Sequence, residues 1–465
     1  MSSSPNPTPN PNTQTDSDHV TYIKASCLCT SNTFLIPFIT STLPQSTALC
    51  HCSSCRHTSG QLAVHCAVAA GAPVAISESE GASVEIPGSG GGGSDTRSTY
   101  VPADLSNLSK YNATPAMTRY FCKTCGAYML YERHPAPDPD SDVSISQSQS
   151  QWMVSTGCLE RTEGIVKVGS HTFLADTKDG GLSEFYRTLN GVAIPRYAYA
   201  QGEGTGSSDA TLPLHWKDPR LVRKQQCQQL EKGGSENHED RLHLHCHCGN
   251  VKLYLTRPDQ EEAKKEENLW LVPGEQLEGR KHKPARFIAG HCFCASCRLS
   301  TGSLVPSFII LPRANVFNAQ STASQPITLS PTSPTRLHNL TQYTSSPLTY
   351  REFCATCGAT VFYWTKAAKG PFPRDPGSEE AVVVDLAAGL VDEGDGLTLG
   401  DSGEDDGRVM GGEGGGAGGE GRGAGGVLCE RWIVWHDLMM NIGEAVDKEG
   451  ARSVGEGASL AVRGQ

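Results

Sequence analysis

Fourteen of the 18 cysteines in this 465-residue chain fall into one ordered series that occurs twice. A CxC pair comes first, at Cys27 and Cys29 and again at Cys246 and Cys248. A CxCxxC triplet follows, at Cys50, Cys52 and Cys55 and at Cys292, Cys294 and Cys297. A CxxC pair before glycine closes each series, at Cys122 and Cys125 and at Cys354 and Cys357. The outer pairs supply four thiolates per series. The two sulfurs of a CxC in a strand share one face, and CxxC-Gly makes a tight knuckle, so the four suit a closed tetrahedral zinc site. Such a site contributes roughly 10–16 kcal/mol of apparent binding energy to folding. The triplet offers only three thiolates and leaves zinc a position for water or substrate, the pattern of a catalytic centre. A thiol entering there would lose its proton, and a thiolate beside an aldehyde can form or break a carbon–sulfur bond. His51, His57 and His65 near the first triplet, and His291 near the second, leave open a closed and purely structural site. A redox dithiol needs a βαβ context that the flanks lack.

The flanks repeat as well. CHCSSCRHTSG from Cys50 returns as CFCASCRLSTG from Cys292, and LSKYNATPAMTRYFCKTCGA from Leu108 returns as LTQYTSSPLTYREFCATCGA from Leu340. Tyr111 thereby matches Tyr343, and Arg119 matches Arg351. Two copies of one domain lie in tandem. The sequence predicts a disordered leader at 1–21, a first domain at 22–197, a linker at 198–241, a second domain at 242–441 and a disordered tail at 442–465. Stretches such as GSGGGGSDTRST and Arg257 to Pro284 are expected as surface loops. An acidic Gly-rich insertion occupies 392–428. After the second CxxC, VVVDLAAGLVD matches the start of WMVSTGCLE, and RWIVWHDLMM is aligned with HTFLADTKDG.

Short β-branched or aromatic runs bounded by turn formers predict strands at Phe34 to Phe38, Val251 to Leu255, Val305 to Leu311, Thr360 to Trp364 and Val382 to Leu386. No long amphipathic helix competes. The expected fold class is mainly β, with two small zinc-binding β domains of coiled sheets and long disordered insertions.

A net charge of −11 leaves no basic face for nucleic acid or a membrane surface. Residues 392 to 420 alone hold nine acids against one arginine. No apolar run of about 18 residues is present to span a bilayer, and the polar start MSSSPNPTPNPN lacks the pattern of a signal peptide. Clustered cysteines without an export signal point to a reducing compartment and to metal rather than disulfides. The cytoplasm is the expected location, with the nucleus left open.

Taken in order, CxC, CxCxxCR and FCxTCG resemble the glutathione-dependent formaldehyde-activating enzyme family, which includes the centromere protein V domain. The resemblance covers about Tyr22 to Tyr197 and Leu242 to Asn441. It implies condensation of formaldehyde with glutathione to S-hydroxymethylglutathione, a carbon–sulfur lyase-type activity. It also implies up to four zinc ions per chain, with glutathione as co-substrate. Cys27, Cys29, Cys122 and Cys125, and Cys246, Cys248, Cys354 and Cys357, would be the structural sites. Cys50, Cys52 and Cys55, and Cys292, Cys294 and Cys297, would face glutathione. One departure is CLCT, which has Thr30 where the second copy has Gly249. A non-catalytic zinc module that binds a protein partner through the acidic loop is the alternative.

Arg56 and Arg298 follow the triplets and either hold a glutathione carboxylate or offset the thiolate charge. Tyr111 and Tyr343 are expected to pack rather than donate protons, and His171 and Asp176 to sit at a hydrated strand end. His243, His245 and His247 alternate on the face opposite the CxC sulfurs. Cys66 and Cys158 are expected as buried thiols, while Cys227 falls in the linker and Cys429 outside the repeat.

Overall fold

In the N-terminal hairpin Ile23 and Ala25 point inward on one strand, and Phe34, Ile36 and Phe38 on its partner, with antiparallel register from Val20↔Ile39 to Ser26↔Thr33. The computed structural model describes residues 19–76, 100–135, 150–200, 211–219, 241–274, 284–323, 325–366, 381–392, 426–440 and 444–463. The protein is mainly β. In the first half the strands are β1 (Val20–Ser26), β2 (Thr33–Ile39), β3 (Gln45–Cys50), β4 (Val64–Val68), β5 (Val74–Ile76), β6 (Tyr100–Pro102), β7 (Leu108–Thr114), β8 (Met117–Cys122), β9 (Tyr128–Arg133), β10 (Gln151–Ser155), β11 (Val166–Thr172), β12 (Thr188–Leu189) and β13 (Val192–Ala193). In the second half they are β14 (Arg241–His245), β15 (Lys252–Thr256), β16 (Leu271–Val272), β17 (Arg286–Cys292), β18 (Ser307–Pro312), β19 (Val316–Asn318), β20 (Leu340–Ser346), β21 (Thr349–Cys354), β22 (Thr360–Thr365), β23 (Val383–Ala387) and β24 (Ile433–Met440).

The large sheet of the first half has the order β11-β3-β4-β10-β9-β8-β7. The second half repeats that path as β17-β18-β23-β22-β21-β20, with β24 pairing parallel to β17 as β11 pairs with β3. In each half the triplet ends the strand β3 or β17 and enters a short helix, Ser53–Ser59 or Ala295–Thr301.

Several sequence expectations change here. Lys448–Arg463 is a helix, where a disordered tail was expected at 442–465. It docks on the first half: Tyr186 donates to Asp447 (2.8 Å), and Ser453 Oγ accepts from the Thr188 amide (3.1 Å). A Cβ at Gly457 would overlap the Phe185 carbonyl, so the helix approaches closely on a face of small residues, and Ala451, Val454, Ala458 and Ala461 at helical spacing were the available signal. Strand register pairs Trp435 with Ala289 as Val168 pairs with Thr47, so 433–440 corresponds to 166–172 and not to HTFLADTKDG. Val427 and Leu428, assigned to the acidic insertion, are buried, and the Leu428 amide donates to Asp179. Residues 393–425 lie outside the described residues, as do 1–18 of the expected leader and 77–99, which include the expected GSGGGGSDTRST loop. Within the expected linker, Leu212 and Asp218 pair with the backbone of the first half. In the charged stretch Arg257 to Pro284, Trp270 and Leu271 are core residues.

The two halves meet across a reciprocal seam. Arg298 donates to the carbonyls of Gly157 and Leu159, and Arg56 donates to the carbonyl of Val391, which holds Leu159's place in the second half. The Leu28 amide bonds Leu299, and the His247 amide bonds His57, each at 3.0 Å. Gly60 and Gly302 end the two short helices in left-handed conformation, φ 74° and 71°. A Cβ on either would overlap a carbonyl across the seam, that of Thr360 or of Tyr128.

Alanine at Gly60 should therefore destabilise by clearly more than the ~1–2 kcal/mol of left-handed strain alone. Gly191→Ala isolates that strain, because Gly191 has φ 74° and nothing within 4 Å of a built Cβ. Thermal unfolding of the two variants should show the larger drop for Gly60→Ala, and equal drops would count against the seam contact.

Candidate metal centres

Cys27 and Cys29 sit in the turn between β1 and β2, closed by the Cys27 amide on Asn32 and the Thr30 amide on Cys27, both at 3.1 Å. The turn, not a strand face as expected, brings these two sulfurs together. Cys122 ends β8, and the chain folds back through Gly126 (φ 79°), whose amide bonds the Cys122 carbonyl at 3.0 Å. The amides of Thr124 and Cys125 point at the Cys122 sulfur, 3.4 and 3.5 Å away. This is the knuckle the spacing predicts. Sulfur–sulfur distances are 3.5 Å for Cys27–Cys29 and for Cys29–Cys122. In the second half they are 3.5 Å for Cys246–Cys248 and Cys248–Cys354, and 3.8 Å for Cys246–Cys354. A tetrahedron of thiolates at ~2.3 Å from a metal has edges of ~3.8 Å. Both groups of four, each mutually within 4.8 Å, can hold a metal ion.

Thr30 takes φ 59° where Gly249 takes φ 74°. A β-branched residue in that region is strained, yet all four sulfurs stay in place.

Each triplet is built on a strand end and a helix start. Cys50 closes β3, Cys52 caps the helix by accepting from the Cys55 amide (3.3 Å), and Cys55 lies in its first turn. Cys292, Cys294 and Cys297 repeat this, again with a 3.3 Å cap. Cys50–Cys52 and Cys292–Cys294 are 3.5 and 3.4 Å apart, and each triplet lies within 4.8 Å. Among the described residues no fourth histidine, cysteine or carboxylate joins either one. The histidines that left a closed site open are engaged elsewhere: His51 with His171, His57 with the His245 carbonyl, His65 with Thr47 and Thr156, and His291 with Ser307. Burial pushes His65 down to about 4 and His171 and His291 to about 3, so these three are neutral at pH 7.

Arg56 and Arg298, expected at a glutathione carboxylate or at the thiolates, are buried in the seam and donate to the opposite half. The cations beside the sulfurs are Arg119 and Arg351. Arg119 reaches Cys55 Sγ at 3.5 Å, and both terminal nitrogens of Arg351 lie 3.7 Å from Cys297 Sγ. Their repetition three residues before each CxxC was the available signal. Hydrogen bonds from Cys50 and Cys52, helped by the Arg119 charge, hold the Cys55 thiol well below its ordinary value.

The Tyr111 hydroxyl is hydrogen-bonded to His247 Nδ1 (2.7 Å), beside the four-cysteine group of the second half. Tyr343 packs against the cluster that contains Cys27, Cys122 and Cys125. His171 is buried in β11 rather than at a hydrated strand end, while Asp176 accepts from the Ser53 amide, as Glu444 does from Ala295. Cys158 is a buried thiol, burial pushes Cys66 up to about 12, and Cys227 lies outside the described residues. No helix among the described residues is long and apolar enough to cross a membrane.

No family model matches the chain, and neither does any curated protein or solved structure.

Protein purified without chelators should carry about four metal ions per chain by mass spectrometry, one for each cysteine group. Cys125→Ser or Cys357→Ser should remove one and unfold its half, whereas about two ions in the wild type would mean that the triplets do not hold metal. Thr30→Gly should raise thermal stability by the ~1 kcal/mol scale of left-handed strain, and an unchanged or lower melting temperature would show that the turn is not strained.

Proposed function

We propose that this chain is a zinc-dependent carbon–sulfur lyase-type enzyme, similar in activity to S-(hydroxymethyl)glutathione synthase, that forms or cleaves a glutathione–formaldehyde adduct. The observation that carries the reading is the contrast within each half between a group of four thiolates and a triplet with no fourth donor among the described residues. All-thiolate donors at tetrahedral spacing suit zinc, closed in the first case and open in the second. Zinc bound by a triplet would lower the pKa of a thiol entering the open position.

The chain's own residues supply the rest. Three thiolates on a divalent cation leave a net charge of −1, and a fourth, from glutathione, makes it −2. Arg119 and Arg351, each against the third sulfur, offset that charge inside a low-dielectric wall. Tyr131 and Tyr363 lie under these guanidiniums, 5.4 and 4.8 Å from ring centre to carbon, and hold them in place. The small-molecule thiol and aldehyde are the proposed partners, and the cytoplasm the proposed location. A zinc module that engages a protein through its acidic loop is the reading to which inactivity would lead.

With carbon-13 formaldehyde and glutathione, exchange spectroscopy should show adduct formation faster than in buffer alone. Arg351→Met should slow it about 10- to 100-fold with zinc content retained. Zinc-loaded wild type that fails to exceed the buffer rate would exclude the lyase reading.

A further inference from the structure

Asp176 and Glu444 hold matching places at the two triplets. Asp176 lies four residues past Thr172, which pairs with Cys50 in the parallel ladder of β11 on β3. Glu444 lies four residues past Met440, which pairs with Cys292 in the parallel ladder of β24 on β17. One carboxylate accepts from the Ser53 amide and the other from the Ala295 amide, each at 3.0 Å. Ser53 and Ala295 follow the middle cysteine of their triplets and open the short helices. The first amide of a helix has no acceptor within that helix. Each carboxylate therefore fixes the peptide that joins the middle cysteine to the helix carrying the third.

The two carboxylates are held from different places. Beyond Asp176 the chain stays in the first half, through the turn that ends at Thr177 and the next at Gly181–Glu184. Beyond Glu444 it leaves the second triplet and docks on the first half. The Val446 carbonyl accepts from Thr162 Oγ1 at 3.0 Å, and Asp447 accepts from the Tyr186 hydroxyl at 2.8 Å. In the helix Lys448–Arg463, Ser453 Oγ accepts from the Thr188 amide at 3.1 Å, and Ala451 and Val454 are buried. A Cβ on Gly450 would overlap the Tyr186 hydroxyl, as one on Gly457 would overlap the Phe185 carbonyl. Phe185 in turn meets the ring of His291, the residue before Cys292, edge to face at 5.1 Å between centres.

We propose that Asp176 and Glu444 are the positioning residues of the two triplets, and that the second triplet is held in its metal-binding form by the C-terminal helix docked on the first half. The inference rests on metal binding by the triplets and not on the lyase chemistry. Two routes lead from the docked helix to the second triplet. One is Glu444 on the peptide after Cys294, and the other is Phe185 against His291 before Cys292. The first triplet takes its carboxylate from its own half, so the helix governs one site and not the other.

Zinc-loaded full-length protein titrated with EDTA, with the freed thiols alkylated and mapped by mass spectrometry at each step, reads each cysteine group separately. Glu444→Ala should weaken retention at Cys292, Cys294 and Cys297 about 10- to 100-fold and leave the other three groups unchanged. Glu444→Gln keeps an acceptor oxygen and should restore most of that loss, which a general loosening of the fold would not do. Asp176→Ala should show the same loss at Cys50, Cys52 and Cys55 alone. Gly457→Ala favours the helix itself but lifts it from Phe185, so it should reproduce the Glu444→Ala pattern. Wild-type retention in Glu444→Ala and Asp176→Ala would overturn the positioning role. No loss in Gly457→Ala, or an equal loss at both triplets, would overturn the control by the helix. About two ions in the wild type would overturn the metal-binding reading of the triplets and the inference together, whereas about four ions without turnover would leave the inference standing.

Discussion

The carbonyls of Gly157 and Leu159 accept the Arg298 guanidinium, the carbonyl of Val391 accepts that of Arg56, and both triplets depend on this reciprocal clamp. Each arginine follows the last cysteine of its triplet, so it fixes the short helix that carries Cys52 and Cys55, or Cys294 and Cys297, against the other half. The same helix ends in a glycine pressed onto a backbone carbonyl across the seam. It also meets the CxC turn opposite, through Leu28 to Leu299 and His247 to His57. Each open triplet thus leans on the closed four-cysteine turn of the other copy. A half taken alone would leave buried arginine donors and helix carbonyls without partners, a cost of about 1–3 kcal/mol for each group.

Electrostatics explain why two kinds of arginine are needed around one short motif. Arg56 and Arg298 satisfy backbone carbonyls, which are neutral acceptors, and so organise the seam. Arg119 and Arg351 face sulfur and answer charge. Putting either pair in the other's place would leave thiolates uncompensated or carbonyls bare, and buried polar groups are costly in both cases.

The cysteine spacing made the sites legible, because the covalent distance between ligands limits how far apart their sulfurs can be. It also showed strands such as Phe34 to Phe38, where β-branched and aromatic residues fill a pleated face. What it hid has physical reasons. A conserved-looking Arg after a CxxC says nothing about whether its donors meet sulfur or a carbonyl on another strand, since that depends on a seam formed by residues more than 90 positions away. The helix Lys448–Arg463 buries small residues by close approach and shows no strong apolar run.

The differences between the copies follow from how much each position contributes. A bound metal offers ~10–16 kcal/mol to a cysteine turn, against ~1–2 kcal/mol for one left-handed side chain. Thr30 in place of glycine is therefore tolerable so long as Cys27, Cys29, Cys122 and Cys125 stay within reach of one ion. The clamp is less forgiving, and at its glycines and arginines the copies agree: Gly60 with Gly302, Gly157 with Gly389, Arg56 with Arg298.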